Sequence, residues 1–157
     1  MQQGITIVTL GAGGRERWLP HATGTAVISS ASPLVRKLRS VITLSAEEEE
    51  VLAKLPMQVA SFGADQDIVR EGDRPSRSFV LLEGFAITYS IIGDGKRQIM
   101  AFHIAGDMPD LQSLHLEVLD NSVGTITPCK VGFVQHDVLW AISSSTRASP
   151  RPCGARR

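Results

Sequence analysis

The sequence predicts a mainly β domain with flanking helices, folded as an antiparallel double-stranded β-roll of the jelly-roll type. Glycines punctuate the middle of the chain at near-even spacing, at Gly72, Gly84, Gly95 and Gly106. Between them lie short β-rich runs, at 79–82, 86–92 and 98–104. Short strands separated by regular turn signals are typical of a sandwich or barrel. Asp94-Gly95, flanked by apolar residues, predicts a β-hairpin and favours antiparallel pairing.

Helices are predicted on both sides of the strands. Ser32-Pro33 begins a short helix, because serine is a good N-cap and proline is tolerated at the first helical position. Ser45 and Glu48 have the spacing of a capping box, which predicts a second helix directly after Ser45. The run MPDLQSLHLEVL departs from the strand period and predicts a short helical or turn insert. A last helix is predicted in HDVLWAI, with Asp137 as a cap.

These elements predict one domain over residues 32–142. Residues 1–31 are rich in Gly, Ser and Thr without a clear period, so we expect a poorly ordered N-terminal arm there. Residues 143–157, SSSTRASPRPCGARR, have almost no apolar content. We therefore expect a disordered tail, because such a segment buries too little surface to offset its loss of entropy.

Composition argues against several classes of protein. The formal net charge is 0, from 16 Lys+Arg and 16 Asp+Glu, which gives no overall electrostatic case for nucleic acid or membrane binding. No apolar stretch reaches the roughly 18 residues of a membrane span, and no signal peptide is expected, so we expect a cytoplasmic location. Cys129 and Cys153 are too far apart for a metal clip, and Cys129 is expected to be a buried, inert thiol. No arrangement of Ser, His, Asp or Cys supports catalysis, so neither an enzyme nor a catalytic residue is expected.

Several motifs occur in the order in which one known family has them. They are Glu71-Gly72-Asp73, FVLLEGFA around Gly84, DGKRQI from Asp94, FHIAGD from Phe102, and TPCKV from Thr127. On these residues, the stretch 33–142 resembles the effector domain of the Crp/Fnr family of bacterial transcription regulators. The resemblance implies a cyclic-nucleotide-binding-like β-roll that senses a signal and is not catalytic.

The resemblance also implies where an effector would bind. In nucleotide-binding members, a Gly-Glu pair after the GD motif contacts the ribose, and an Arg-Ser-Ala run clamps the phosphate. Here the Gly-Glu positions are Asp110-Leu111, and the phosphate-Arg position falls near 119–121. No Lys or Arg occurs from Met108 through Thr127. We therefore expect no cofactor and no cyclic nucleotide, and another small effector stays open.

The expected ligand contacts lie in the loop and the strand that line the family's pocket. They are Met108, Asp110, Leu111, Gln112, Ser113, Ser122, Val123, Gly124 and Thr125. Phe85 and Phe102 are expected in the core instead of at the ligand.

The partners that the resemblance implies are a small-molecule effector and a second copy of the chain in a homodimer. DNA is expected only for a full-length form, and no membrane is expected. Full members continue through a long helix into a helix-turn-helix that enters the major groove. Because HDVLWAI passes abruptly into the 143–157 tail, we expect a chain truncated before those helices, with the tail translated in a wrong frame.

Other interpretations depend on cysteine, histidine and glycine patterns. An iron–sulfur sensor of this family is excluded because no cysteine precedes Cys129, and a haem ligand at His103 or His115 has little support. A dinucleotide-binding enzyme, suggested by Gly11, Gly13 and Gly14, lacks the sixth-position glycine or alanine.

Two alternatives share the predicted fold. A cupin-like metalloenzyme would need clustered ligands, whereas His21, His103, His115 and His136 are dispersed, so no metal site is predicted. A stand-alone β-roll interaction module without a ligand stays open as the main alternative to the sensor.

Overall fold

The computed structural model describes residues 22–27 and 32–146, and within them eight strands form two four-stranded sheets. The first sheet has the order β1-β2-β8-β4 and the second β3-β7-β5-β6, and all neighbouring strands are antiparallel. The strands are β1 Ala22–Val27, β2 Pro56–Phe62, β3 Asp67–Val69, β4 Arg77–Glu83, β5 Ala86–Ile91, β6 Arg97–His103, β7 Ser122–Thr125 and β8 Cys129–Gln135. The predicted β-roll is confirmed.

The helices are α1 Pro33–Val41, α2 Ala46–Ala53 and α3 His136–Thr146, with a 3-10 turn at Leu111–Leu114 inside the predicted insert. The helices α1 and α2 begin where the sequence places their caps, whereas α3 begins at His136, one residue before Asp137, the cap predicted for it. The Ser32 hydroxyl accepts a hydrogen bond from the Val35 N–H, and Ser45 and Glu48 form the reciprocal capping box. Local side-chain hydrogen bonds therefore fix the start of α1 and of α2.

Two clusters of buried apolar side chains hold the roll together. The first lies between the sheets, where the ring of Phe133 contacts Phe62 and Phe79 edge to face, with centroids 6.4 and 5.9 Å apart. The second joins the first sheet to the helices and contains Leu34 of α1, with partly buried α3 side chains packed against it. The helices therefore cover the sheet surface that the inter-sheet core leaves open.

The four predicted turn glycines all have positive φ, between 78° and 99°. At Gly84 the tight packing also matters, because a Cβ there would lie 2.4 Å from the Pro128 carbonyl oxygen and 2.6 Å from the Cys129 Sγ. At Gly106 a Cβ would lie 2.5 Å from the Pro33 carbonyl oxygen. Both positions bring the backbone of one element against another, which a larger residue would prevent.

Three further expectations differ from the structure. Residues 22–27, expected in a poorly ordered arm, form β1, which pairs along β2; the rest of 1–31 lies outside the described residues. The helix α3 continues to Thr146, past the predicted end at 142, and the Ser143 and Ser144 hydroxyls donate to the Trp140 carbonyl one turn back, a placement that a helix tolerates. Phe85 and Phe102, expected in the core, are 55% and 72% exposed, since the edge strand β6 and the turn before β5 leave them uncovered.

Candidate functional site

The predicted ligand residues fall on two different sheets. The segment 108–114 follows β6 and packs against β4 of the first sheet. Residues 122–125 are the whole of β7, which lies between β3 and β5 in the second sheet. A hydrogen bond of 3.4 Å from the Gln112 amide to Asn121, the residue before β7, joins the two segments.

The loop is anchored at the GD motif that precedes it. The Gly106 N–H donates to the Leu81 carbonyl, and the Leu81 N–H donates to the Asp107 carbonyl. The Asp107 carboxylate accepts from the Ile104 N–H at 2.9 Å and pairs with Lys37 of α1. Burial alone would raise the pKa of Asp107, but the hydrogen bonds and charge of Lys37 hold it below its usual value. This motif therefore ties the start of the loop to β4 and α1.

Asp110 is turned into the protein instead of toward solvent. Asp110 is 1% exposed, and its Oδ1 accepts a hydrogen bond of 3.0 Å from the backbone N–H of Phe79 in β4. Its Oδ2 is fully buried without a hydrogen-bond partner among the described residues. Burial raises the pKa of Asp110 to about 7, against the opposing effect of the Phe79 N–H.

Ser113 connects the 3-10 turn to Ser78, a second residue of β4, and to α3. Its hydroxyl lies 3.0 Å from the Ser78 hydroxyl and 3.0 Å from Nε2 of His136, and Ser78 is itself 3.2 Å from that nitrogen. Burial lowers the pKa of His136, opposed by a hydrogen bond with the Arg77 backbone. At neutral pH the imidazole is therefore mostly uncharged within a closed triangle of polar groups.

The other loop candidates are divided between interior and surface. Met108 is partly buried and packs on the cluster that joins the helices to the first sheet. Leu111 is 45% exposed, and Gln112 is also exposed. Leu111 and Gln112 therefore present side chains to solvent, whereas Met108, Asp110 and Ser113 hold the loop in place.

The side chains of β7 are used inside the fold. Ser122 accepts a hydrogen bond of 3.0 Å from the Glu71 N–H, and Val123 is fully buried in the core between the sheets. Thr125 accepts from the Gln66 N–H and donates to the Gly63 carbonyl. These three residues stabilise the sheet and the turn before β3.

Gly124 lies against a polar cluster at the centre of the second sheet. The Tyr89 hydroxyl donates to Asp67 at 2.6 Å, and a Cβ at Gly124 would lie 3.3 Å from both of these side chains. Burial, and then the hydrogen bond to Asp67, raise the pKa of Tyr89. The guanidinium of Arg97 lies 4.5 Å from the centre of the Tyr89 ring. The small residue at 124 therefore leaves room for this cluster.

The charge of the loop is negative. No Lys or Arg occurs from Met108 through Thr127, whereas Glu117 and Asp120 are exposed. The guanidinium of Arg74, in the turn after β3, lies 4.0 Å from the carboxylate of Glu117, whose side chain is 91% exposed. A surface ion pair of this kind contributes little, so the loop does not provide a strong site for an anion.

The two histidines considered as haem ligands have other contacts. His103 Nε2 lies 2.7 Å from the Thr88 hydroxyl, and burial lowers its pKa. The His115 ring packs edge to face on Trp140 of α3, with centroids 5.1 Å apart. Among the described residues, no group of three or more His, Cys, Asp or Glu side chains is placed to hold a metal ion. His21 and the glycines at 11, 13 and 14 lie outside the described part of the chain.

Sequence reasoning did not identify two residues of this site, Ser78 and His136. Ser78 is fully buried in β4, and His136 begins α3, so 58 residues separate two groups in direct contact. A polar residue inside the apolar strand SFVLLE was the one available signal, because buried hydroxyls need partners.

Comparison with known proteins identifies the class of domain. A family model described as the cyclic nucleotide-binding domain matches residues 59–146, which is more than half of the chain. The chain therefore belongs to the cyclic nucleotide-binding domain family. Among curated proteins, none matches this chain in sequence. In the described residues, no helix is long and apolar enough to cross a bilayer.

Solved structures with a similar fold include regulators. The N-terminal domain of a transcriptional regulator from Streptomyces coelicolor A3(2) is 19% identical, with a TM-score of 0.56, and the match covers 77% of this chain and 80% of that one. The Thermus thermophilus catabolite activator protein is 17% identical, with a TM-score of 0.59, over 74% of this chain and 52% of that one. The regulatory domain of Toxoplasma gondii PKA, solved with cAMP, is 21% identical, with a TM-score of 0.60, over 73% and 46%.

At these identities the likeness establishes the fold. The chain spans about half the length of the T. thermophilus and T. gondii chains. The cyclic-nucleotide-binding β-roll that the resemblance to Crp/Fnr regulators implied is confirmed.

Proposed function

We propose that this protein is the non-catalytic effector-sensing domain of a Crp/Fnr-like transcription regulator, with a degenerate cyclic nucleotide site. The observation that carries the proposal is the chemistry of residues 108–127. This stretch contains no Lys or Arg, and its Asp110 carboxylate faces the interior of the protein. A cyclic phosphate loses its hydration on binding, and that loss must be offset by cationic and N–H donors.

The surface that remains for an effector has both polar and apolar side chains. Leu111 and Gln112 are exposed on the 3-10 turn, and Asn121 lies beside them before β7. This supports a small effector that is not anionic and that contacts the loop by an amide hydrogen bond and apolar area. The domain of 32–142, its homodimer, and DNA contact by a full-length form belong to the same proposal.

Calorimetry with cAMP and cGMP tests the degenerate site. We expect no saturable heat with either nucleotide up to about 1 mM, because residues 108–127 offer the phosphate no Lys or Arg. A dissociation constant of about 1 mM corresponds to a binding free energy of only about 4 kcal/mol. A dissociation constant in the micromolar range would contradict the proposal. If such heat appeared, Gln112→Ala and the matched exposed Gln98→Ala on β6 would show whether the loop binds the nucleotide.

A stand-alone interaction module without a ligand is the second candidate. The observation that favours it is the exposed apolar content of β6, where Ile99, Met100 and Phe102 are 49%, 51% and 72% exposed. A panel of uncharged small effectors in a thermal-shift assay separates the two functions. A saturable rise in the melting temperature that Gln112→Ala removes supports the sensor, and a flat response across the panel supports the module. Sedimentation equilibrium of the same samples measures the proposed homodimer.

A further inference from the structure

Two polar contacts of different kinds hold the segment 108–114 against β4 and α3. At one end, Asp110 Oδ1 accepts from the Phe79 N–H of β4. At the other, Ser113 joins Ser78 of β4 and His136 of α3 in the triangle of 3.0–3.2 Å contacts. The segment, a central strand and the first residue of α3 are therefore connected by hydrogen bonds within a few residues of each other.

Asp110 is the weak point of this arrangement when it is ionised. A buried carboxylate needs several donors, and only its Oδ1 has one, whereas Oδ2 is buried without a partner among the described residues. A neutral carboxyl group leaves no uncompensated charge at this position. The closed loop therefore fits the protonated acid better than the anion.

The surrounding ionisable groups do not supply the missing counter-charge. On β4, the guanidinium of Arg77 lies over the Phe133 ring at 4.0 Å. At α1, Lys37 is paired with Asp107, and at the start of α3 the His136 ring bonds to the two serines. The raised pKa of Asp110, about 7, follows from burial, with only backbone N–H groups opposing it.

We propose that Asp110 is a proton-controlled latch for the effector segment. With the carboxyl group protonated, residues 108–114 stay against β4 and against His136 of α3. Loss of the proton favours a conformer in which the segment leaves β4, the carboxylate reaches water and the Ser113–His136 contact breaks. The regulatory meaning of the latch rests on the proposed function of this segment, but its opening can be measured without any effector.

The sign follows from linkage. The closed conformer has the raised pKa and the open conformer the ordinary one, so the closed conformer binds more protons between them. The stabilisation of the closed loop is complete below about pH 4 and is lost as the pH rises to about 7. The contribution of Asp110 to the opening constant therefore increases about tenfold from pH 6 to pH 8. Protonation of His136 acts in the opposite direction below its ordinary pKa, so the Asp110 contribution has to be isolated by comparison.

Hydrogen exchange of the full chain, corrected for the intrinsic pH dependence of exchange, tests the latch. The reporter is the amide of Phe79, whose N–H donates to Asp110 and loses this partner when the segment leaves β4. The Asp110→Asn variant keeps an acceptor for Phe79 and removes the titrating group, whereas Asp120→Asn changes an exposed aspartate of the same loop. Because His136 is present in all three proteins, its effect cancels in the comparison. We expect the rise in the opening constant from pH 6 to pH 8 to be about tenfold smaller in Asp110→Asn than in the unsubstituted protein, and unchanged in Asp120→Asn.

The latch is overturned if the opening constant of Asp110→Asn depends on pH in the same way as that of the unsubstituted protein. Titration of the Asp110 carboxyl carbon by NMR in the unsubstituted protein gives a second test that needs no variant. A pKa near 7 supports the latch, and one near 4 overturns it. If the latch is found but no effector binds, the sensing proposal fails alone; if an effector binds without the latch, this inference fails alone.

Discussion

The strands β4 and β6 have similar apolar content but opposite surroundings. In β4, Phe79, Val80 and Leu81 are fully buried, while in β6 Ile99 and Phe102 are 49% and 72% exposed. The strand β4 is covered on one face by the inter-sheet core and on the other by helices, through the two buried clusters. Among the described residues, the strand β6 is the last of its sheet and pairs with β5 alone. Position in the sheet, more than side-chain hydrophobicity, therefore decides which apolar residues support the fold.

The difference extends to function. The buried face of β4 also provides the Phe79 N–H and the Ser78 hydroxyl that hold the candidate effector loop. The strand β6 leads into that loop, and its exposed side chains are available for other contacts. One strand is thus a fixed support, and the other is a surface on which substitutions should be tolerated.

Truncation of Phe79 is the largest expected effect. Phe79→Ala removes a fully buried ring that contacts Phe133, and it should cost about 3–5 kcal/mol in the free energy of unfolding. The matched truncation Phe102→Ala, at a 72% exposed ring on β6, should cost at most about 0.5 kcal/mol. Urea unfolding measures both. Equal losses for the two variants would mean that β6 is covered in solution, for instance by a second copy.

Two glycines with the same backbone conformation give an intermediate effect. Gly84 (φ 92°) is packed against Pro128 and Cys129, whereas at Gly95 (φ 78°) an added Cβ would have nothing within 4 Å. Gly95→Ala should therefore cost only the positive-φ penalty of about 1 kcal/mol. Gly84→Ala adds a collision with backbone and should cost about 3 kcal/mol or more. A difference near zero between the two urea midpoints would show that the β4–β5 turn yields more easily than its packing implies.

Local features were predictable from the sequence, because short-range spacing determines them. The Ser45–Glu48 capping box and the turn at Gly95, where the Ile92 N–H donates to the Lys96 carbonyl, depend on neighbours within four residues. The fold class followed from the recurrence of such turns. The predicted end of α3 was wrong by four residues, because low apolar content does not by itself end a helix whose serine hydroxyls can bond back one turn.

The site was less predictable, because its geometry depends on strand register. All four residues of β7 are buried, so alternation in SVGT does not reveal that Val123 faces the core. The contact between Ser78 and His136 joins residues 58 positions apart, and no local pattern encodes it. The inward turn of Asp110 likewise needs β4 to be in place. The sequence could therefore locate the effector loop but not assign its side chains to interior or surface.

The smallest predicted effect is that of the ion pair at the start of the loop. Lys37→Met breaks the contact with Asp107, whose pKa is lowered by Lys37, and should cost about 1 kcal/mol at pH 7. A carboxyl group whose pKa is lowered by folding stabilises the fold fully when the pH is above its unfolded pKa of about 4, and this stabilisation is lost as the pH falls. The cost of Lys37→Met should therefore shrink as the pH falls below about 4. Lys54→Met, in a pair with Glu50 in which both side chains are about two-thirds exposed, should change stability by less than about 0.5 kcal/mol. Urea unfolding at pH 7 and pH 3 measures the four values. A cost for Lys37→Met that persists at pH 3 would mean that the lysine stem, packed beside Gly106, stabilises the loop more than its charge does.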